Sequence, residues 1–327
     1  MTRKTPDLST ALFGVKIADV FTERRPGPQT NLSDFSKQDI ENDSAGFQRI
    51  PQFHAVMATD NGQVFSVVTN KYHLLSNQQA IELGEQCFEQ VFRLTGLKDM
   101  EFYNLNMPST RSFCHLDFIH KGKALGFKGE EDIWYPFLRI TNSYNRTYAL
   151  NFKLGFCRWI CKNGMIFGGQ SIDFKFHHGK QIDKAEAQFR LRSGEFADLE
   201  KQFFESMFRL ERYHVPPKFM WPLTCKLFGI QRPGSSNTRQ EEFYTMQKYQ
   251  IEKLSGQYFK ELGENGYAAL NILTDFATRP VGYISSEQRI DSLQSKAGTW
   301  AEEFIEEIED RSFSFDAYLG GYLEHAA

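Results

Sequence analysis

Nowhere does the 327-residue chain run through about 18 consecutive apolar residues, so no membrane-spanning helix is expected. Its first 19 residues lack an apolar core ending at a small-residue cleavage site, so export is not expected and a cytoplasmic location is. Cysteine is sparse and odd in number: Cys87, Cys114, Cys157, Cys161 and Cys225. That usage fits reduced thiols rather than a disulfide framework. Only Cys157 and Cys161 lie close, as C-x3-C, and no second pair follows downstream. Zinc sites and redox helices usually start from C-x2-C. In a strand, residues four apart are separated by about 13 Å, too far for one metal ion. The reading is buried small hydrophobes, with no metal and no cofactor expected.

Catalytic signatures are missing as well. There is no P-loop, no G-x-S-x-G, no H-E-x-x-H and no dinucleotide-binding fingerprint. Gly122-Lys123 and Gly179-Lys180 lack the earlier glycine that a phosphate loop needs. His177 and His178 are adjacent in an expected strand and should point to opposite faces. His115 and Asp117 share a strand face, with His120 nearby. They read either as an interstrand pair or, more sharply, as part of a metal-assisted nuclease. The chain is therefore expected to act without catalysis. No internal repeat is present.

What is there suits a folded protein. Hydrophobic residues make up 41% and charged residues 24%, which excludes wholesale disorder, and the length allows one large domain or two. Residues 1–50 are polar and punctuated by Pro and Gly, reading as an irregular arm with a short strand near 12–20. Residues 53–59 and 63–69 flank Asp60-Asn61-Gly62, a hairpin signal. Ser76 or Asn77 can cap a helix through about residue 94. Strands are expected at 101–106 and 111–120, a longer hairpin at 136–142 and 147–160, a turn at Asn163-Gly164 and a strand at 171–178. In 147–160, Tyr148, Leu150, Phe152, Leu154 and Phe156 alternate with polar or small residues, so one face is buried. Helical spacing takes over after Lys180: Leu199, Phe203, Met207 and Leu210 form one stripe, and Phe243 to Tyr258 another ending near Gly263. Helices are expected at 267–278 and 287–309. The fold class is α+β: an arm over 1–50, an antiparallel sheet domain over 51–180 and a helical region over 181–327 packing on it.

The net charge of −3 hides an asymmetry. Residues 139–184 hold eight bases against two acids, interleaved with aromatics, whereas residues 300–327 hold eight acids against Arg311 alone. The functional reading of the basic ribbon is a face for single-stranded nucleic acid, DNA favoured. Arg139, Arg146, Lys153, Arg158 and Lys162 would meet phosphates, Tyr144 and Trp159 would stack on bases, and Asn151 would lie beside Lys153 on the same face. The plainer reading is an amphipathic sheet with solvated cations. The acidic segment reads as a solvated helix face, or as a surface for a host protein or a second copy of the chain. One helix stands out: Asn271, Thr274, Asp275 and Thr278 form a single polar stripe on an otherwise apolar segment. The stripe either faces solvent or hydrogen-bonds an internal polar partner.

The same segments carry a family resemblance. Residues 67–77 (VVTNKYHLLSN), 139–144 (RITNSY) and 155–164 (GFCRWICKNG), with Asn271, Thr274 and Asp275 of the later helix, resemble a phage/plasmid-related family of unknown function. The likeness spans about 53–300. It implies a bacterial mobile-element protein, found in prophages and plasmids near single-strand annealing and exonuclease genes. That company adds to the nucleic-acid reading of the basic ribbon and implies a setting in recombination, replication or host-defence evasion. The order of hairpin, helix and basic sheet is similar in outline to ring-forming single-strand annealing proteins, a fold-level analogy.

Overall fold

Period-two patterning organises the first half of the chain and helical spacing the second. The computed structural model describes residues 7–23, 47–91, 100–127, 132–158, 163–165, 172–179, 182–233, 238–281 and 287–326. A three-stranded antiparallel sheet comes first, in the order β1 (Val15–Glu23), β2 (Phe47–Ala58) and β3 (Val64–Thr69). The Asn61-Gly62 turn joins β2 to β3, with Gly62 at φ 72°, the left-handed conformation that glycine adopts without strain. Part of the expected arm is thus regular: β1 pairs along β2.

Helix α1 (Asn77–Val91) follows. Ser76 and Gln79 cap it reciprocally: the Gln79 N–H donates to Ser76 Oγ at 3.2 Å, and the Ser76 N–H donates to Gln79 Oε1 at 2.9 Å. A seven-stranded antiparallel sheet comes next. Its strands are β4 (Met100–Asn106), β5 (Phe113–His120), β6 (Leu125–Gly126), β7 (Ile133–Ser143), β8 (Leu150–Arg158), β9 (Asn163–Met165) and β10 (Ile172–Phe176). The main order is β10-β8-β7-β5-β4, with β6 against β7 and β9 against β8. Asn163 and Gly164 are not a turn. They pair with Arg158 and Cys157 inside β9, so the connection precedes them.

Helices α2 (Ala185–Leu191), α3 (Glu195–Arg212), α4 (Met220–Phe228), α5 (Thr238–Leu262), α6 (Gly266–Thr278), α7 (Glu287–Ile308) and α8 (Phe315–Leu319) complete the α+β architecture, whose C-terminal region is mainly helical. None of the described helices is long and apolar enough to cross a membrane. Gly263, at φ 85°, ends α5 as its spacing predicts.

Strand alternation gives the large sheet two unlike faces. Leu116, Phe118, Leu138, Ile140, Phe152, Leu154 and Phe156 form the apolar face and are fully or almost fully buried. Phe152 and Phe174 meet Phe189 of α2 edge-on, and Phe156 stacks on Phe203 of α3. Helix α1 lies on the same face through Gly84, where a Cβ would fall well inside contact distance of Ile140 Cδ1. The other face carries His115, Asp117, Arg139, Thr141, Asn151 and Lys153.

The acidic C-terminal helix is no detachable tail. Ala297, Trp300, Ala301, Phe304 and Ile305 of α7 are buried, while Glu303, Glu306 and Glu307 stay exposed. Just beyond it, Glu309 accepts hydrogen bonds from Arg209 Nε at 3.0 Å and Tyr213 Oη at 2.7 Å.

The close seat of α1 sets an expected outcome. Gly84→Val overpacks the Ile140 contact and should lower unfolding free energy by about 1–3 kcal/mol in urea titrations. An unchanged midpoint would contradict this packing.

Candidate functional site

The basic ribbon divides into interior and surface cations. Arg139 and Arg158, expected at solvent-facing phosphate contacts, are 2% and 1% exposed. Arg139 forks onto Asp117, with Nε to Oδ1 at 2.7 Å and Nη2 to Oδ2 at 2.8 Å. The two residues are cross-strand neighbours. Arg139 Nη1 also donates to Gln294 Oε1 of α7 at 2.6 Å. Arg158 donates to Asp132 at 2.6 Å and to Glu261 of α5 at 2.9 Å. These guanidiniums cannot leave their carboxylates for a phosphate without stranding buried charge.

Tyr144, expected to stack on a base, is 1% exposed. It packs with Phe13 and Phe65 beneath the small sheet, and its hydroxyl accepts the Asn77 N–H at 3.0 Å. Tyr144 thus joins both sheets to the start of α1, and burial raises its hydroxyl pKa. Trp159 and Lys162 lie outside the described residues, as does Cys161. Cys157 is buried.

Asn271, Thr274 and Asp275 of the α6 polar stripe are buried and Thr278 is partly buried. Thr278 Oγ1 accepts from Gln294 Nε2 at 3.0 Å, which links it to Arg139. Asp275 accepts from Tyr258 Oη at 2.8 Å and from Arg279 Nε at 3.0 Å. Asn271 Nδ2 donates to the Tyr267 carbonyl and Thr274 Oγ1 to the Asn271 carbonyl, local bonds along the helix. At the other end of α6, Tyr267 donates to Asp132 at 2.7 Å and accepts from Trp134 Nε1 at 3.1 Å. His115 and Asp117 likewise have internal partners. His115 Nδ1 is 2.8 Å from Thr141 Oγ1 and Asp117 is held by Arg139, both side chains buried. No cluster of three metal-ligating side chains occurs among the described residues.

The surface cations gather elsewhere. An open cleft of about 490 Å³ lies between the end of β3, the β7–β8 turn and the end of β10. Lys71, Arg146 and Lys175, all exposed, line it together with His177, His178, Tyr72 and Tyr148. No carboxylate is among its lining residues. A second hollow of about 630 Å³ between α4 and α5 mixes Lys218, Lys248 and Lys260 with Glu252 and Glu264, so it lacks this one-signed field.

Local chemistry builds the cleft. Arg146 sits at φ 66°, a left-handed conformation costly for a side chain with a Cβ. The turn that imposes it is pinned: Ser143 Oγ donates to the Tyr148 carbonyl at 2.7 Å and accepts the Tyr148 N–H at 3.0 Å, and Asn145 Oδ1 accepts the Thr147 N–H at 3.1 Å. Strand β8 begins only at Leu150, so Tyr148 escapes the expected alternation and rests half-buried against Phe113 and His115. Strand β10 ends at Phe176, so His177 and His178 also escape it, and both line the cleft. His178 stacks on Tyr72, with centroids 5.1 Å apart and planes 17° apart. Burial lowers the His178 pKa, and burial pushes the Tyr72 hydroxyl up to about 12 despite Arg146 nearby. Burial thus disfavours the charged form of both rings. Asn151 and Lys153 lie half-buried on the polar face, Asn151 across from Lys175 and Lys153 across from Asp173. Lys71, Tyr72, Lys175 and His178 carry no motif; only their convergence marks them.

Two substitutions separate the cation classes. Arg139→Met leaves Asp117 buried without its partner and should cost about 3–5 kcal/mol in chemical denaturation, with most of it recovered in Arg139→Met/Asp117→Leu. Arg146→Gly relieves the left-handed backbone and should change stability by less than about 1 kcal/mol, in either direction, by the same measurement.

A family model described as Domain of unknown function (DUF932) matches residues 64–296. No curated protein and no solved structure matches the chain.

Proposed function

Since the chain belongs to the DUF932 family, whose description assigns no chemistry, we propose from the cleft that it is a non-catalytic binder of single-stranded nucleic acid. The observation that carries this reading is the convergence of Lys71, Arg146 and Lys175 around an open cavity without a lining carboxylate. Three cations of one sign in a concave site attract a polyanion, and counterion release makes such binding favourable. Tyr72 and Tyr148 supply aromatic surface in the same cleft, which suits unpaired bases better than a closed duplex. Asn151 and Lys153 extend the polar surface from Lys175 across the sheet. Phosphate contact thus falls to Arg146, Lys71 and Lys175, with Lys153 flanking them across from Asp173, while Arg139 and Arg158 hold the fold. The family resemblance suggests a setting in bacterial mobile elements, where such a binder serves recombination, replication or evasion of host defence.

Salt titration of oligonucleotide binding, followed by fluorescence anisotropy, checks this directly. Three engaged cations predict a slope of log K against log salt of about −2 for a single strand, and each charge removed by Lys71→Gln, Arg146→Gln or Lys175→Gln should flatten it by about 0.7. Binding that ignores salt, or survives the triple variant unchanged, would remove the proposal.

A further inference from the structure

The exposed polar side chains of the cleft are rich in donors. Lys71, Arg146 and Lys175 can only donate hydrogen bonds, and the exposed Thr69 and Thr147 hydroxyls beside them can donate too. No carboxylate or side-chain amide lines the cavity. Among the described residues none of these three cations is ion-paired, whereas Arg111, Lys121, Lys123 and Arg209 elsewhere each hold a carboxylate. Arg146 is also fixed at its base. Its left-handed backbone carries a cost that glycine would avoid, and the Ser143 and Asn145 hydrogen bonds of the turn hold it there.

Arrangement and charge narrow the ligand. Three separate segments border the cleft, and each contributes one cation: Lys71 just beyond β3, Arg146 in the β7–β8 turn and Lys175 in β10. A strand passing along a surface spreads its phosphates over a groove. Here the cations surround one cavity of about 490 Å³, the scale of a small-molecule site. A phosphodiester within a strand carries a single negative charge. A phosphate monoester carries about −1.5 to −2 near pH 7 and offers three acceptor oxygens. Donors converging from three sides match the monoester better, and a strand carries that group only at an end.

We infer that the cleft captures the phosphorylated end of a single strand, its phosphate monoester held by Lys71, Arg146 and Lys175 with the Thr69 and Thr147 hydroxyls donating alongside. This rests on the strand-binding reading and adds a preference for one kind of terminus.

The test is competition anisotropy on the intact chain at fixed salt, with single strands of one sequence. One has hydroxyls at both ends, one a 5′-phosphate and one a 3′-phosphate. A fourth is hydroxyl-ended and one nucleotide longer, so it adds a phosphate charge without adding a monoester. A nucleoside 5′-monophosphate is titrated alongside. At least one phosphorylated strand should bind about ten-fold more tightly than the hydroxyl-ended one, the scale of one or two added charge contacts in water. The longer strand should not share that gain. Arg146→Gln/Lys175→Gln should erase the gain, and Lys218→Gln, in the α4–α5 hollow, should keep it. The inference is overturned by a ratio near one for both ends, by an equal gain in the longer strand, or by a gain that the double cleft variant retains. It is also overturned if the mononucleotide competes as well as the phosphorylated strand, which would make the free nucleotide the ligand. Hydroxyl-ended and phosphorylated strands that bind equally through the cleft cations overturn it and leave strand binding standing. Strands that fail to bind in any form overturn both.

Discussion

Two buried guanidiniums, each locked to carboxylates, are the constraint from which the rest of the architecture follows. Arg139 binds Asp117 within the sheet and Gln294 on α7, and Gln294 continues to Thr278 on α6. Arg158 binds Asp132 and reaches Glu261 on α5, while Tyr267 at the start of α6 takes the second oxygen of Asp132. Arg139 and Arg158 stand on opposite faces of the large sheet. The helical half therefore engages both faces through charge-assisted hydrogen bonds whose directions tolerate little slippage. Ion pairs this deep offer uncertain net stability, because desolvation offsets much of the attraction. Their clearer effect is to fix how helices and sheet sit together.

That assignment redistributes the charge of the basic ribbon. With Arg139 and Arg158 paired inside, Arg146 and Lys175 of the ribbon join Lys71 around the cleft. Tyr144 does comparable work at the junction of the two sheets, bridging Phe65 and the first turn of α1. The cleft wall is thus built on pinned turns and strand ends rather than on long loops. A site whose cations hang from such supports is preorganised for an anion.

How much of this was legible depended on the range of the interactions. Local signals read well: the Asn61-Gly62 turn, a cap at Ser76, one of two candidates, and the Gly263 helix end each follow from neighbours a few residues apart. Alternation placed Leu150, Phe152, Leu154 and Phe156 on one face. It misassigned Tyr148, because β8 starts two residues later. It placed His177 and His178 apart, because β10 stops before them. Parity also says nothing about what covers a face. The partners of Arg139 and Arg158 lie on a neighbouring strand whose register is not written in the sequence, and on helices more than a hundred residues away. The cleft was invisible for the same reason: Lys71, Arg146 and Lys175 belong to three segments that only the fold brings together. The DUF932 match shows membership of a family of unknown function, whose description carries no chemistry that would have located it.

Hydrogen–deuterium exchange, with and without a saturating single-stranded oligonucleotide, addresses the division between the buried cations and those proposed to bind a strand most directly. The account predicts new protection concentrated in residues 68–72, 146–149 and 175–178, with the Arg139 and Arg158 strands already protected in the free protein. Protection centred on the α4–α5 hollow, or slow exchange around Arg139 and Arg158 appearing only when the oligonucleotide is added, would contradict it.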